Sequence, residues 1–433
     1  VCEVTPIQNA PGLAGQVCQS ISQMEVVKMP ASDSTPNRFI GLDIHKKYFV
    51  ATGVDRALNQ VYGPYEASMR QLKRWAEKTV TKRDAIVVEM TTNSYLVYDT
   101  LQPFAHSITV VHPPHVALIV RAQVKTDKKA ALTLAQLHAS GLLPGVWIPP
   151  VEVRELRTLV AHRHKMVRLS TIAKCRLQAL LHRHGFEAPE GMELYKPDLR
   201  PWWEGLHVSA LEKHCLLSDL ETLDFARQQI DKTEACLKEL AAKDPRMPLL
   251  IQITGIGFLT AITILAAIGE IERFPSAKKL VGYAGLGSRV HDSGMAYSTG
   301  RITKAGRRDL RRAMVDASNH AITDHAHWKA QFEALSSHIG KKKAIVAIAR
   351  KLLVVVWHVL TKEAADRFAN PTQVACSMFA FAHKVRVKNL PKGQTALGFT
   401  RNQLDRLKIG QEVKKLPWGT KTFTLPESKL TAK

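Results

Sequence analysis

Two short apolar runs in the front third of this chain end at a carboxylate, and any fold it adopts has to hold those acids in place. Phe39-Ile40-Gly41-Leu42-Asp43-Ile44 is the first and Ala85-Ile86-Val87-Val88-Glu89 the second. Tyr48–Val54, after a His-Lys-Lys turn, and Ile108–Val111, closed by His112-Pro113-Pro114, are two further apolar runs of strand length. Ser68 to Thr79 and Tyr95 to Leu101 read as helices between them. Strands interleaved with helices predict an α/β layer with a buried sheet over residues 38–150. Residues 1–37, rich in Pro, Ser, Gln and Gly without periodicity, read as a flexible lead-in.

Behind the α/β segment the pattern turns helical. Val151 to His184 carries Leu156, Val160, Val167, Leu177 and Leu181 on one side, and Pro189 to Pro201 interrupts it. A second helix runs from about Val208 to Lys243, with Leu216, Leu223, Ile230 and Leu237 at the seven-residue spacing of a coiled-coil seam. The companion column is imperfect, because Leu220 is followed by Arg227 and Glu234. Residues 151–245 are therefore a helical hairpin packed within the chain or a coiled-coil-like middle that supports oligomerisation. After Pro245 and Pro248, residues 246–365 predict a compact helical domain. Residues 366–433 read as a basic C-terminal extension, either solvated and flexible or an arm that tracks a nucleic-acid backbone. The fold class is α/β plus all-α.

Charge narrows the partners. Lys and Arg number 61 against 38 Asp and Glu, a formal net charge of +23, and such a field attracts nucleic acid. The 6 cysteines form no CxxC pair, which argues against a zinc ribbon and suits a reducing, cytoplasmic setting. No apolar stretch reads as a membrane span; the best, Phe258 to Ile268, is short and followed by Glu270 and Glu272. Val1 stands where an initiator Met is expected, which reads as a non-standard start or an upstream extension, with Met24 and Met29 as alternative starts.

Asp43, Glu89 and Asp127 make up an acidic constellation. The first two lie at strand ends and the third, in Lys125-Thr126-Asp127, sits where a helix begins. Carboxylates bind Mg²⁺ or Mn²⁺ through hard oxygens, and such ions serve phosphodiester chemistry by stabilising attacking and leaving oxygens. Asp127 alone also reads as an ordinary helix N-cap.

These residues carry a resemblance. Gly41-Leu42-Asp43-Ile44-His45-Lys46, Val88-Glu89-Met90-Thr91-Thr92 and Lys125-Thr126-Asp127 resemble the N-terminal domain of the insertion-sequence transposases of family one-ten. That family includes the eleven-eleven subgroup, bridge-RNA-guided recombinases and the Piv-type DNA invertases. The resemblance implies an RNase H-like (RuvC-like) domain with four acids in the order Asp, Glu, Asp, Asp, the first three matched by Asp43, Glu89 and Asp127. The fourth is not matched: the chain reads Asp127-Lys128-Lys129-Ala130-Ala131, with Ala130 where an acid is expected. Ala130 is either a deliberate replacement that holds substrate uncleaved or the mark of a degenerate copy. In both cases the chain as written is expected to bind metal weakly and cut poorly.

The rear domain extends the resemblance. Ile253-Thr254-Gly255-Ile256-Gly257 reads as a tight turn that also lets backbone approach a phosphate. Arg273-Phe274-Pro275-Ser276, Tyr283-Ala284-Gly285-Leu286, His291-Asp292-Ser293-Gly294 and Gly300 to Arg312 follow in the order of the family's C-terminal transposase domain. There the family places a nucleophilic serine, which Ser293 matches; by itself Ser293 before Gly294 is a turn residue. Arg301, Lys304, Arg307, Arg308, Arg311 and Arg312 form a basic cluster with several members expected on one helical face, suited to clamping phosphates. Lys125, Gly255 and Gly257 join that nucleic-acid set. His325 and His327 read as exposed helix-end residues.

The expected function is a transposase or site-specific recombinase acting on double-stranded DNA ends and target. The metal site of one domain would meet the serine of another, in the same or a neighbouring subunit of a homodimer or homotetramer. A structured guide RNA is a partner by resemblance only. A junction-specific nuclease using carboxylates alone and a catalytically inactive nucleic-acid-binding relative are the competing readings; Ala130 favours the second.

Overall fold

Strand β1 (Arg38–Ile44) lies at the centre of the front sheet, and its alternating side chains dictate what packs on each face. The computed structural model describes residues 35–119, 126–293, 296–391 and 393–430. It separates into two compact units, residues 1–150 and 151–433. Most of the lead-in and Lys125 lie outside the described residues.

In the front unit, β2 (Tyr48–Val54) pairs antiparallel with β1, and β3 (Gln60–Ser68) antiparallel with β2. Helix α1 (Leu72–Thr79) then leads to β4 (Asp84–Glu89), which runs parallel to β1, and α2 (Ser94–Leu101) to β5 (Ser107–Val111), parallel to β4. The order is β3-β2-β1-β4-β5. Ile40, Leu42 and Ile44 of β1 join Ile86, Val88, Trp75, Ala76 and Leu101 in one core on the α1–α2 face. Helix α3 (Asp127–Ala139) covers the other face, where Leu134 meets Val87 and Val111. This is the mixed α/β layer the sequence predicts, with β3 as an added edge strand.

Gly41 permits the α3 packing. A Cβ there would stand 2.0 Å from the Ala131 carbonyl oxygen and 2.7 Å from the Ala135 nitrogen, both backbone atoms that cannot rotate away. Gly41→Ala is expected to destabilise the front unit by about 3 kcal/mol, read as a lowered thermal midpoint, because the helix must be displaced from the sheet.

The rear unit opens with α4 (Val151–His184) and α5 (Ala210–Lys243). Leu177, Leu180 and Leu181 pack on Leu216, Leu220 and Leu223, so the first half of the seven-residue seam is filled from within the chain, and Leu237 at its end joins the large core of the rear unit. The polar intrusions in its companion column have local partners. Glu234 accepts from Arg163 of α4 at 2.9 Å, and Arg227 donates to the Tyr195 carbonyl.

The apolar α6 (Phe258–Ile268) is sunk in a large core with α7 (Ala277–Tyr283), α8 (Arg308–Asp324), α9 (Ala326–Ile339) and α10 (Lys341–Lys362). The all-helical reading is corrected here by an antiparallel hairpin, β6 (Ser288–Ser293) and β7 (Ala296–Ile302), between α7 and α8. Among the described residues α10 alone is long and apolar enough to cross a membrane, which the sequence reading did not single out. Its Ile348, Leu352, Leu353 and Val356 are fully buried in the protein core, and three lysines begin it.

The extension from residue 366 is folded, against the expectation of a solvated flexible tail. Helices α11 (Pro371–Lys384) and α12 (Ala396–Leu407) place Val374, Met378, Phe381, Phe399 and Leu404 in the same core. A hairpin of β8 (Lys415–Trp418) and β9 (Lys421–Thr424) follows. Buried Arg401 ties the segment together by donating to the carbonyls of Gly410, Val413 and Pro426.

Candidate active site

Strand alternation aims the front-unit acids at α3. Gly41 and Asp43 share the β1 face opposite Ile40 and Leu42, and Val87 and Glu89 share the corresponding face of β4. Leu42 pairs with Val88, so Asp43 and Glu89 are the next residues at the carboxyl ends of neighbouring parallel strands. The first turn of α3 supplies Asp127. Thr126, not Asp127, is the N-cap: its hydroxyl accepts from the Lys129 amide at 3.3 Å, leaving the Asp127 carboxylate available at the helix start.

Asp43, Asp127 and His45 offer ligand atoms that all lie within 4.8 Å of one another. His45 Nε2 is 3.4 Å from Asp127 Oδ2 and 3.8 Å from Asp43 Oδ2. Tyr48 donates its hydroxyl to Asp127 Oδ2 at 2.8 Å and stacks on the His45 ring at a centroid distance of 4.5 Å. The accepting Asp127 carboxylate, with some loss of solvent, holds the Tyr48 phenol above its ordinary pKa. Asn93, in the loop after β4, donates to the His45 carbonyl at 3.0 Å and so ties the two acid-bearing strand ends together.

This donor set fits a divalent cation. Two carboxylates provide hard oxygens, and ligands about 2.2 Å from one ion stand at most about 4.4 Å apart, close to the spacing seen. The His45 Nε2 is shielded from solvent and makes no hydrogen bond, and it stands at ion-pair distance from both carboxylates. Glu89 is not one of the three grouped residues, although its strand end is adjacent. Ala130 is one turn beyond Asp127 and partly exposed, with its amide donating to the Thr126 carbonyl at 2.8 Å. Its methyl has no lone pair to offer.

Sequence reasoning treated His45 as part of a turn and left Tyr48 within a strand. The signal for His45 was its position two residues after Asp43, which keeps a residue on the same side of an extended chain. Tyr48 carried no such signal, because its role depends on a long-range contact with Asp127.

In the rear unit Ser293 ends β6, where it pairs with Ala296; Gly294 lies outside the described residues. The hairpin base is clamped: Thr303 donates to the Gly287 carbonyl at 2.8 Å, Lys304 to Gly285 at 3.1 Å and Arg307 to Tyr283 at 2.8 Å, all through backbone amides.

Of the basic cluster, Arg308, Arg311 and Arg312 fall at helical spacing on α8, and the others lie outside it. Arg301 lies in β7 and Lys304 in the following loop at φ 54°, and α8 begins only at Arg308. Arg307 pairs with Asp309, and Arg311 donates to the Ala284 carbonyl at 2.9 Å, so these two hold the structure. Arg301, Lys304, Arg308 and Arg312 are exposed, Arg312 within 3.8 Å of Asp316.

Gly255 is at φ 89°, where a Cβ would meet the Ala317 carbonyl oxygen of α8 at 2.3 Å; it serves close packing of a turn. Gly257 is exposed and caps α6 with no side chain, beside a groove of about 750 Å³ lined also by His320, Asp324, Asn370 and Lys384. His325 and His327 lie at a helix end, as expected, but are only partly exposed. His325 caps α9 and contacts the Phe368 carbonyl at 3.0 Å, and His327 stacks on Phe368.

Two family models match the chain. One described as "Transposase", of the DEDD IS110 type, matches residues 40–185, and "Transposase IS116/IS110/IS902 family" matches residues 247–333. Between them they span more than half of the sequence. The transposase for insertion sequence element IS1111A of Coxiella burnetii is 24% identical over 82% of this chain and 99% of its own. The pilin gene-inverting protein of Moraxella bovis is 27% identical over 74% of this chain and 95% of its own. A probable family 20 transposase of Pseudomonas aeruginosa is 23% identical over 76% and 98%.

Proposed function

The chain belongs to the IS110/IS116/IS902 family of transposases, and on that premise we propose that it cleaves and rejoins double-stranded DNA with a carboxylate-held divalent metal and a serine nucleophile. The observation that carries this reading is the meeting of Asp43 and Asp127 with His45 at the carboxyl end of the sheet. The three antiparallel strands followed by two parallel ones, with helices on both faces, support an RNase H-like reading of the front unit. In it Asp43, Glu89 and Asp127 hold Mg²⁺ or Mn²⁺. Such an ion, when bound, neutralises charge developing on the phosphodiester oxygens.

Ser293 serves as the nucleophile. Its hydroxyl oxygen bonds to phosphorus, the hydroxyl proton leaves, and the DNA oxygen departs as a hydroxyl after taking up a proton. The same bond is then broken by a hydroxyl of the partner strand, so the phosphodiester is conserved. The relation to the Moraxella bovis pilin gene-inverting protein supports a rejoining reaction over simple hydrolysis.

Arg301, Lys304, Arg308 and Arg312, together with Lys125 and the groove beside Gly257, contact DNA phosphates in this reading. Arg308 is at the first position of α8, where a positive charge opposes the helix dipole, so its placement is better accounted for by an anionic partner than by stability. The +23 charge also leaves capacity for a structured guide RNA, and exchange of strands calls for a homodimer or homotetramer. Ala130 favours a second reading as well, a relative that binds nucleic acid without cutting it.

Three measurements test this function. Asp43→Asn is expected to leave DNA-end binding unchanged and to lower residual metal-dependent cleavage by about tenfold or more; unchanged cleavage would reject the carboxylate site. Arg308→Ala is expected to weaken DNA binding and reduce the slope of log affinity against log salt by about 1. Arg311→Ala is expected instead to lower thermal stability by about 1–3 kcal/mol, because it strips a bond from the Ala284 carbonyl.

A further inference from the structure

We propose that His45 is itself a metal ligand, completing with Asp43 and Asp127 a mixed nitrogen–oxygen set that binds Mn²⁺ in preference to Mg²⁺. The inference rests on the reading of the acidic group as a metal site and specifies its ligands and selectivity.

Three observations carry it. First, His45 Nε2 is at 3.4 and 3.8 Å from one oxygen each of Asp127 and Asp43, within the spread that a single ion bridges. Second, that nitrogen is shielded from solvent, makes no hydrogen bond, and faces the two carboxylate oxygens at ion-pair distance, so it is directed into the acidic group. Third, the ring is oriented by neighbours that do not use Nε2. Tyr48 stacks on its face, its backbone carbonyl accepts from the His45 amide at 2.9 Å, and Asn93 anchors the His45 carbonyl. Tyr48 also fixes Asp127, so one side chain sets the distance between two prospective ligands.

The chemical consequence follows from ligand type. Mg²⁺ takes oxygen donors and gives up its waters reluctantly, whereas imidazole nitrogen suits first-row transition metals. A site of two carboxylates and one imidazole therefore shifts toward Mn²⁺. With Ala130 in place of a fourth acid, the imidazole makes up a larger share of the donors.

The alternative is that a protonated His45 serves as a cation balancing the two carboxylates, with no bond to metal. That role would compete with metal for the acids, so removing the ring would improve metal binding.

The test uses the full-length chain and Mn²⁺ or Mg²⁺ alone, with binding followed by calorimetry and the bound Mn²⁺ examined by pulsed electron paramagnetic resonance. Modulation from a directly bound imidazole nitrogen is expected in the unmodified protein. His45→Ala is expected to abolish it and to weaken Mn²⁺ binding by about 10–100-fold, at least the loss caused by removing an outer-shell partner. Mg²⁺ affinity is expected to change by less than about threefold. Tight Mn²⁺ binding with no nitrogen modulation, or equal or tighter binding by His45→Ala, would overturn the assignment while leaving the carboxylate site standing. Asp43→Asn separates the two claims: Mn²⁺ binding that survives it unchanged would reject the metal site altogether.

Discussion

Ala130→Asp is expected to raise metal-dependent cleavage of the chain's DNA ends by roughly 10²–10³-fold, the rate equivalent of the several kcal/mol a well-held ion contributes. The position is suited to the change. Helix α3 begins at Asp127 and residue 130 lies three residues on, so both side chains project from the same side of the first turn. Residue 130 is partly exposed and belongs to neither buried cluster of the front unit. An added carboxylate in a first helical turn also interacts favourably with the helix dipole, so the substitution is not expected to cost stability. Single-turnover cleavage of labelled DNA ends at fixed Mg²⁺ measures the effect. A chain that already cuts rapidly with Ala130 in place, or one that gains metal affinity without gaining cleavage, would show that a fourth acid is not what the site lacks.

The second large effect is expected at Ser293. Ser293→Ala should reduce strand joining by at least about 10³-fold, as loss of a covalent nucleophile does, while DNA binding and metal binding stay within about twofold. The substitution is local: Ser293 closes a strand whose pairing with Ala296 is made through the backbone, and alanine keeps that backbone. A junction nuclease working through its carboxylates alone would be indifferent to the change. Sustained cutting by Ser293→Ala would therefore identify the competing chemistry directly.

How much of this was legible in the sequence depends on which interactions create each element. Strands β1, β2 and β4 were readable because each is a dense apolar run buried on both faces, and β5 because it ends in the buried pair Val110 and Val111. The two long helices of the rear unit were readable to within two residues, because prolines punctuate them and leucines recur along them. Strand β3 was not. Gln60–Ser68 forms the exposed sheet edge, carries Gly63-Pro64, and buries only Ala67, so its sequence lacks the alternation a half-buried strand shows. The β6–β7 hairpin is equally silent, since Ser288–Ser293 and Ala296–Ile302 are mostly polar.

The tail misled for a different reason. Its helices are short and separated by Asn389-Leu390-Pro391 and similar breaks, and they are ordered by burial against distant residues such as those of α6 and α10. Asp43, Glu89 and Asp127 were visible as acids at element ends, but the proximity of Asp43 to Asp127 comes from α3 crossing the sheet at Gly41. His45 joined them only once strand direction and helix position were both known. In the basic cluster the charge was legible and its allocation was not: Arg307 and Arg311 are committed to Asp309 and the Ala284 carbonyl, which no spacing rule foretells.

The central claim is that one strand-transfer reaction requires both the front-unit carboxylates and the rear-unit serine. It is tested most directly by trapping the Ala130→Asp protein on a nicked DNA end, digesting the product, and mapping any covalent DNA–peptide linkage by mass spectrometry. The account predicts a single linkage at Ser293 that forms with divalent metal and is lost on chelation or with Asp43→Asn. Cleavage without any linkage, a linkage at another residue, or a Ser293 linkage indifferent to metal and to Asp43 would contradict it.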